Sequence, residues 1–384
     1  MLPNLDVPNN GPPLGPWQLS TELPQDPALP ALGAFRATGL SGALPELALS
    51  DSPVELRLCN YVVGSRATFE ARAGDRRFAI KLYADDPSLE ADLYRRLARV
   101  GLAREHGPRA PRLLASDARL RVLVLSWLEG PTVHHLVREG KGVRAGQLAA
   151  SWLWHASRRR VRFGPPRGRG HMLYQAGVSA GALGVVQPAL GADAKRVAKM
   201  LVRAPLTEGP PTLVHGTFYA RHILDLGDVP GVIDWNQFGV GPIEIDAGMF
   251  LATISRLALR HESFAREAER TKQSFLDRAR GLLDLRTLEW YWAAGLLHLA
   301  ATGLKTAQTR EVPGEAPAIL EEAGRHARFA TEGFPDEARE MPTLLARFRL
   351  AFRSRSPAPA LAQSGPVDHM RPNSPDAQRS DRKE

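Results

Sequence analysis

The apolar residues of this 384-residue chain change their period once, and that change constrains the fold more than any other feature. From Val54 to Leu128 they alternate or form short runs between Gly and Asp turns. VELRLCNYVV, ATFEARAG, RRFAIKLYA and RVLVLSWLEG therefore read as strands. One helix interrupts them, DDPSLEADLYRRLARVGLA, which opens on Asp-Pro and continues at helical spacing. After Gly130 the spacing is helical around 145–156, 190–203, 246–260, 263–283, 285–304 and 317–331. The one strand-like interruption there is LVHGTFYARHILDLGDVPGVIDW, Leu213 to Trp235. A small strand-rich lobe followed by a larger helical lobe with one embedded hairpin predicts an α+β fold.

The flanks differ in composition. Residues 1–30 are rich in Pro, Gly and Asn without a period and read as a flexible leader. Residues 31–128 form the expected strand-rich lobe, 129–352 the helical lobe, and 353–384 a disordered tail. The single Cys59 excludes an internal disulfide and a Cys-based zinc site. No basic start followed by an apolar core is present, so no signal peptide is expected. The run Trp290 to Leu304 is too short for a membrane span and suits a buried helix. A cytoplasmic protein without membrane contact is the expectation.

Four features stand out for their chemistry. Alternation in RRFAIKLYA places Ala79, Lys81 and Tyr83 on one strand face, and a mid-strand lysine must reach water or an anion. Glu90 leads an apolar stripe with Leu93, Tyr94 and Leu97, so it either caps its helix or turns inward towards a cation. Ser126 to Gly130, including Leu128, is a strand end running into a turn, or a hinge whose backbone groups meet a purine edge. Asp234 ends an apolar strand, either capping the next turn or holding a cation such as Mg²⁺, which prefers oxygen ligands.

Taken together, VHGTFYARHILDL, GVIDW, GPIEIDAGMFLA, RFAIKLY and Glu90 resemble the aminoglycoside phosphotransferase and choline kinase-like family, a branch of the protein-kinase-like fold. The resemblance spans about residues 55–305 and is strongest over 213–252. It implies a two-lobed fold and a purine nucleotide, ATP or GTP, bound with Mg²⁺ or alternatively Mn²⁺. Lys81 would hold phosphates, Glu90 would orient Lys81, Asp234 would bind the metal, and Asp246 would support the loop of His215. Phosphate would pass to a hydroxyl of a small metabolite.

Two positions depart from the family pattern. Its catalytic aspartate is replaced by Thr217 and its metal-binding asparagine by His222. Thr217 can align a hydroxyl but cannot take its proton at neutral pH, and imidazole is a poor Mg²⁺ ligand. Asp225 either substitutes for the lost ligand or is a solvated turn residue. The readings left are an atypical phosphotransferase and a pseudokinase that binds nucleotide or serves as a scaffold for a protein partner.

The formal charge of +9 favours acidic partners, yet only seven of the 50 basic residues are lysines, an arginine bias that can follow from base composition alone. SRRRVRFGPPRGRG, residues 157–170, invites a nucleic-acid reading, but with one aromatic it reads better as a mobile solvated loop. The stripe LEWYWAAGLLHLA reads as helix core rather than a substrate cage. The positive charge also argues against a polycationic aminoglycoside acceptor.

Overall fold

Alternating side chains give the strands two unequal faces, and each face has its own cover. The computed structural model describes residues 23–49, 54–159, 161–302, 304 and 312–333. The first 22 residues of the expected leader and the whole expected tail lie outside these. Helix α1 spans Pro30–Ala43 and strand β1 Val54–Val62, followed by β2 (Arg66–Ala73) and β3 (Arg76–Tyr83). Then come α2 (Ser88–Arg99), β4 (Leu113–Asp117) and β5 (Val122–Ser126). The five strands form one antiparallel sheet in the order β1-β2-β3-β5-β4.

One sheet face carries Ala67, Phe69, Ala71, Phe78, Ile80, Leu82, Val122 and Val124, and packs with Leu32 and Phe35 of α1. The opposite face carries Arg66, Thr68 and Glu70, in register with Tyr83, Lys81 and Ala79. That face looks towards the helical lobe. The sequence reading has no helix before Val54, because α1 offers few large apolar residues and bends at Gly39, whose φ is +65°. Residues 23–29, read as leader, are not loose: Leu29 is buried, and Asp26 accepts hydrogen bonds from Tyr61 Oη and Gly64 N.

The second lobe contains α3 (Val133–Arg138), α4 (Gly142–Ser157), α5 (Arg169–Val186) and α6 (Pro188–Arg203). Four three-residue strands follow, β6 (Thr212–Val214), β7 (Ile223–Asp225), β8 (Pro230–Val232) and β9 (Gly239–Gly241). The lobe ends with α7 (Glu244–Arg260), α8 (Ala265–Arg278), α9 (Leu285–Ala300) and α10 (Ala316–Glu332). β6 pairs with β9 and β7 with β8, both antiparallel, so the embedded hairpin is present and gains a second pair. Trp290, Tyr291 and Trp292 are buried in helix core, not arranged as a cage.

The segment 157–170 differs from the mobile loop expected. Phe163 stacks on Phe238 and lies under Arg96, while Val240 N bonds Pro165 O and Arg167 N bonds Val240 O. Arg169 Nη2 donates to Val202 O, and Arg167 donates to Phe238 O and Gln237 Oε1. Arg167 and Arg169, spent in this way inside the fold, are not free to contact phosphates. Among the described residues no helix is long and apolar enough to cross a membrane.

Helix α7 enters the site from below through Asp246, and its position is set by a close crossing with α9. A Cβ on Gly248 would stand 2.6 Å from Trp292 N and from Tyr291 C. Gly248→Ala must push the helices apart, and overpacking of this kind costs about 1–3 kcal/mol. Urea denaturation of the variant should show that loss.

Candidate active site

Lys81 sits on β3, the middle strand of the sheet, and its ammonium is almost wholly withdrawn from water, so it must be neutralised inside. The lysine is 6% exposed. Its Nζ lies 2.7 Å from Glu90 Oε1 and 3.2 Å from Asp234 Oδ1. Glu90, in the first turn of α2, is buried and also accepts from Tyr83 Oη at 2.8 Å. It therefore faces inward. Burial alone would depress the Lys81 pKa, but Glu90 and Asp234 raise it above its ordinary value and the ammonium stays charged. Asp234 is pushed up by burial and pulled far below the usual carboxylate range by the Lys81 ammonium first, with Arg66 adding to it.

Asp234 follows β8 in a left-handed conformation, φ +67°, which non-glycine residues rarely adopt. The strain turns its carboxylate back into the cleft, where the side chain keeps 28% exposure. It does not cap the following turn.

Opposite it runs the loop after β6. Asp246 of α7 accepts both His215 N, at 2.7 Å, and Gly216 N, at 2.9 Å. Burial pushes the Asp246 carboxyl up to about 7 against the two backbone bonds. Gly216, with φ +78°, passes so close to Gln237 O that no Cβ fits there. His215 Nε2 lies 2.9 Å from the Ile233 carbonyl and so must donate to it, which leaves Nδ1 as acceptor for Thr217 N and Thr217 Oγ1, each at 3.3 Å. The tautomer is thereby fixed. The Thr217 hydroxyl spends its proton on His215 and holds no base of its own.

His222 Nδ1 lies 2.9 Å from the Thr217 carbonyl and donates to it. Its Nε2 faces Asp234 Oδ2 at 3.5 Å. Burial keeps this imidazole neutral, well below its usual range, so two lone pairs converge across the gap. That separation is too long for a charge-assisted hydrogen bond. Neighbouring ligands of an octahedral ion at about 2.1 Å stand about 3 Å apart, so this pair is slightly wider than one such ion would hold it. The pair offers one oxygen and one nitrogen. Asp234 fits Mg²⁺, while His222 fits softer divalent ions such as Mn²⁺ better.

The alternatives for a second ligand fail. Arg144 holds Asp225 with a fork, Nε to Oδ2 at 3.0 Å and Nη2 to Oδ1 at 2.7 Å, so this residue is neither a ligand nor a solvated turn residue. His215 uses both ring nitrogens inside its loop, and among the described residues no three His, Cys, Asp or Glu converge as a metal site.

At the hinge, Ser126 N bonds Arg112 O and Ser126 Oγ accepts from Arg112 N. Its N–H is thus committed to the sheet edge and not offered to a purine. The backbone groups of Leu128, by contrast, carry no hydrogen bond among the described residues, and its side chain lies beside Gly231 of β8. Sequence reasoning missed Arg66, which is 7% exposed and close enough to Asp234 to act on its charge. In GSRATFE it reads as an ordinary strand residue, and only the register of β2 against β3 places it beside Lys81.

Two solved structures of one enzyme share the architecture. The model of the phosphotransferase enzyme family (APH) matches residues 63–294. A thermostable mutant of aminoglycoside phosphotransferase APH(4)-Ia in its apo form is 16% identical, with a TM-score of 0.53 over 72% of this chain and 95% of that one. Another thermostable mutant of that enzyme, in ternary complex with AMP-PNP and hygromycin B, gives 16% and 0.53 over 75% and 98%. A choline/ethanolamine kinase family protein from Mesorhizobium loti is 17% identical over 83% and 98%, with a TM-score of 0.49. No curated protein matches the chain.

The locked His215 sets an acid limit on stability. Its pKa is lowered from 6.5 to about 4 by burial, so the unfolded chain takes up a proton that the folded one refuses. Stability falls as pH drops through that window. Between pH 7 and 4.5 wild type should lose about 2 kcal/mol more than His215→Asn, which keeps a donor for Ile233 O. Denaturant melts at the two pH values measure this.

Proposed function

The chain belongs to the phosphotransferase enzyme family, and on that footing we propose that it is an atypical nucleotide-dependent phosphotransferase acting on a hydroxyl of a small metabolite. The observation that carries the reading is the Lys81 ammonium held between Glu90 of one lobe and Asp234 of the other. Lys81 binds phosphate oxygens of ATP or GTP, and Glu90 keeps it aimed at them. Leu128 meets the purine edge with its unpaired backbone groups. Asp234 holds a divalent cation, with His222 as a second ligand, and the ion supplies charge neutralisation at the phosphates. Thr217 aligns the acceptor hydroxyl from a loop fixed by Asp246. The likeness in fold to an enzyme solved with AMP-PNP and hygromycin B supports a nucleotide and a hydroxylated acceptor facing each other in such a cleft.

Loss of the aspartate base does not by itself forbid turnover. Phosphoryl transfer has a loose transition state, so positioning and neutralisation provide most of the rate. General-base help is worth about 10²–10⁴-fold, or about 3–5.5 kcal/mol. One observation favours the second reading, a pseudokinase with a protein partner: Thr217 is only 7% exposed and its hydroxyl is tied to His215.

Thermal melts with and without metal–ATP test the nucleotide site. At about 100 times the dissociation constant the ligand should add about 2.7 kcal/mol in wild type and nothing in Asp234→Ala. No shift with ATP or GTP, and with either Mg²⁺ or Mn²⁺, would sink the nucleotide reading. In wild type Mn²⁺ should support a larger shift than Mg²⁺, and His222→Asn should reverse that order. The double variant Thr217→Asp with His222→Asn should raise phosphate transfer at least tenfold. Retained nucleotide binding without that gain would leave the pseudokinase.

A further inference from the structure

The cleft face of the sheet carries more positive charge than its carboxylates answer. Arg57, Arg72 and Arg77 all converge on Glu70, with ion pairs of 2.6–2.9 Å. Lys81 takes Glu90 and Asp234. Arg66 is left over. It is 7% exposed, its Nε has no hydrogen-bond partner, and no described residue forms an ion pair with it. A guanidinium so nearly withdrawn from water, on which Asp234 acts only from beyond ion-pair distance, is poorly compensated.

Its surroundings say what would answer it. Arg66 opens β2 opposite Tyr83, whose hydroxyl reaches Glu90. Thr68, next on the same face, stands opposite Lys81. The guanidinium thus shares its sheet face with the Lys81 ammonium, above the cleft into which Asp234 turns.

The hairpin turn that delivers Arg66 is unusual for a nucleotide roof. A loop that cradles phosphate does so with free backbone N–H groups. Here Ser65 N bonds Val62 O at 3.0 Å, closing a tight turn, and Gly64 N bonds Asp26 Oδ2 at 2.7 Å. Those donors are already occupied.

We propose that Arg66 is a phosphate-binding residue: its guanidinium, together with the Lys81 ammonium, holds phosphate oxygens of the nucleotide in place of the backbone donors that the tight turn withholds. A planar fork of N–H donors suits phosphate oxygens and forms short charge-assisted bonds with them. The inference rests on the nucleotide reading of the cleft given above.

Calorimetric titration of ATP, ADP and adenosine into wild type, Arg66→Met, Arg66→Lys and Asp234→Ala tests it, all with the same divalent cation. Arg66→Met should weaken ATP and ADP at least tenfold and change adenosine by less than twofold, with Arg66→Lys in between. Met keeps the apolar stem and removes an unanswered charge, so the free variant should melt no lower than wild type. Unchanged or tighter ATP binding by Arg66→Met would show that the arginine adds nothing to phosphate binding, and an equal loss for adenosine that it stacks on the base. Either result overturns the proposal, as does a lowered melting temperature in both Arg66 variants, which would mark a structural role. ATP binding that is lost in Asp234→Ala but intact in Arg66→Met removes this inference alone. Absence of nucleotide binding in wild type removes it together with the reading beneath it.

Discussion

A buried ammonium dictates the arrangement of both lobes. Lys81 lies in the central strand, where the cost of desolvation can be offset only by carboxylates brought to it. One comes from α2, which must then dock with its first turn against the sheet. The other comes from the end of β8 and reaches the lysine only because Asp234 accepts a left-handed backbone. The ion pair across the cleft is therefore a geometric condition as much as an attraction. Small lobe, hinge and hairpin each have one placement that satisfies it.

The loop around His215 takes its shape from groups other than the side chain at position 217. Its backbone is held by Asp246 from below and by the close passage of Gly216 over Gln237. The imidazole is locked by Ile233 O. None of these restraints involves the side chain at 217, so a threonine there leaves the framework standing. His222 likewise sits in the loop through its Nδ1, and only its outer nitrogen faces the cleft. Thr217 and His222 set what the loop offers a ligand, not where the loop is.

How much of this was legible follows from how local each signal is. Lys81, Glu90 and the hairpin ending at Asp234 announce themselves through period and charge within a dozen residues, and the structure brings them together. Helix α1 did not, since PALGAFRATGLSGA has three glycines and a weak apolar stripe, and its helicity depends on the sheet face that it covers. Helix α5 is similar: its glycines matter because Gly184 lets Gly191 of α6 approach within backbone contact, a long-range fact. Arg167 and Arg169 look like part of a solvated patch until the carbonyls of β9 and α6 are placed beside them. Ser126 misled for the opposite reason, because its N–H is claimed by Arg112 at the sheet edge. Strand register, which decides the place of Arg66, is visible in no single segment.

The carboxylate of Asp26 carries a mechanical consequence. It belongs to the stretch before α1, yet it grips the turn between β1 and β2 through Gly64 and Tyr61. A roof latched from outside cannot lift as a separate flap. The turn that roofs the sheet face is thus held by a residue far upstream of the strands it joins.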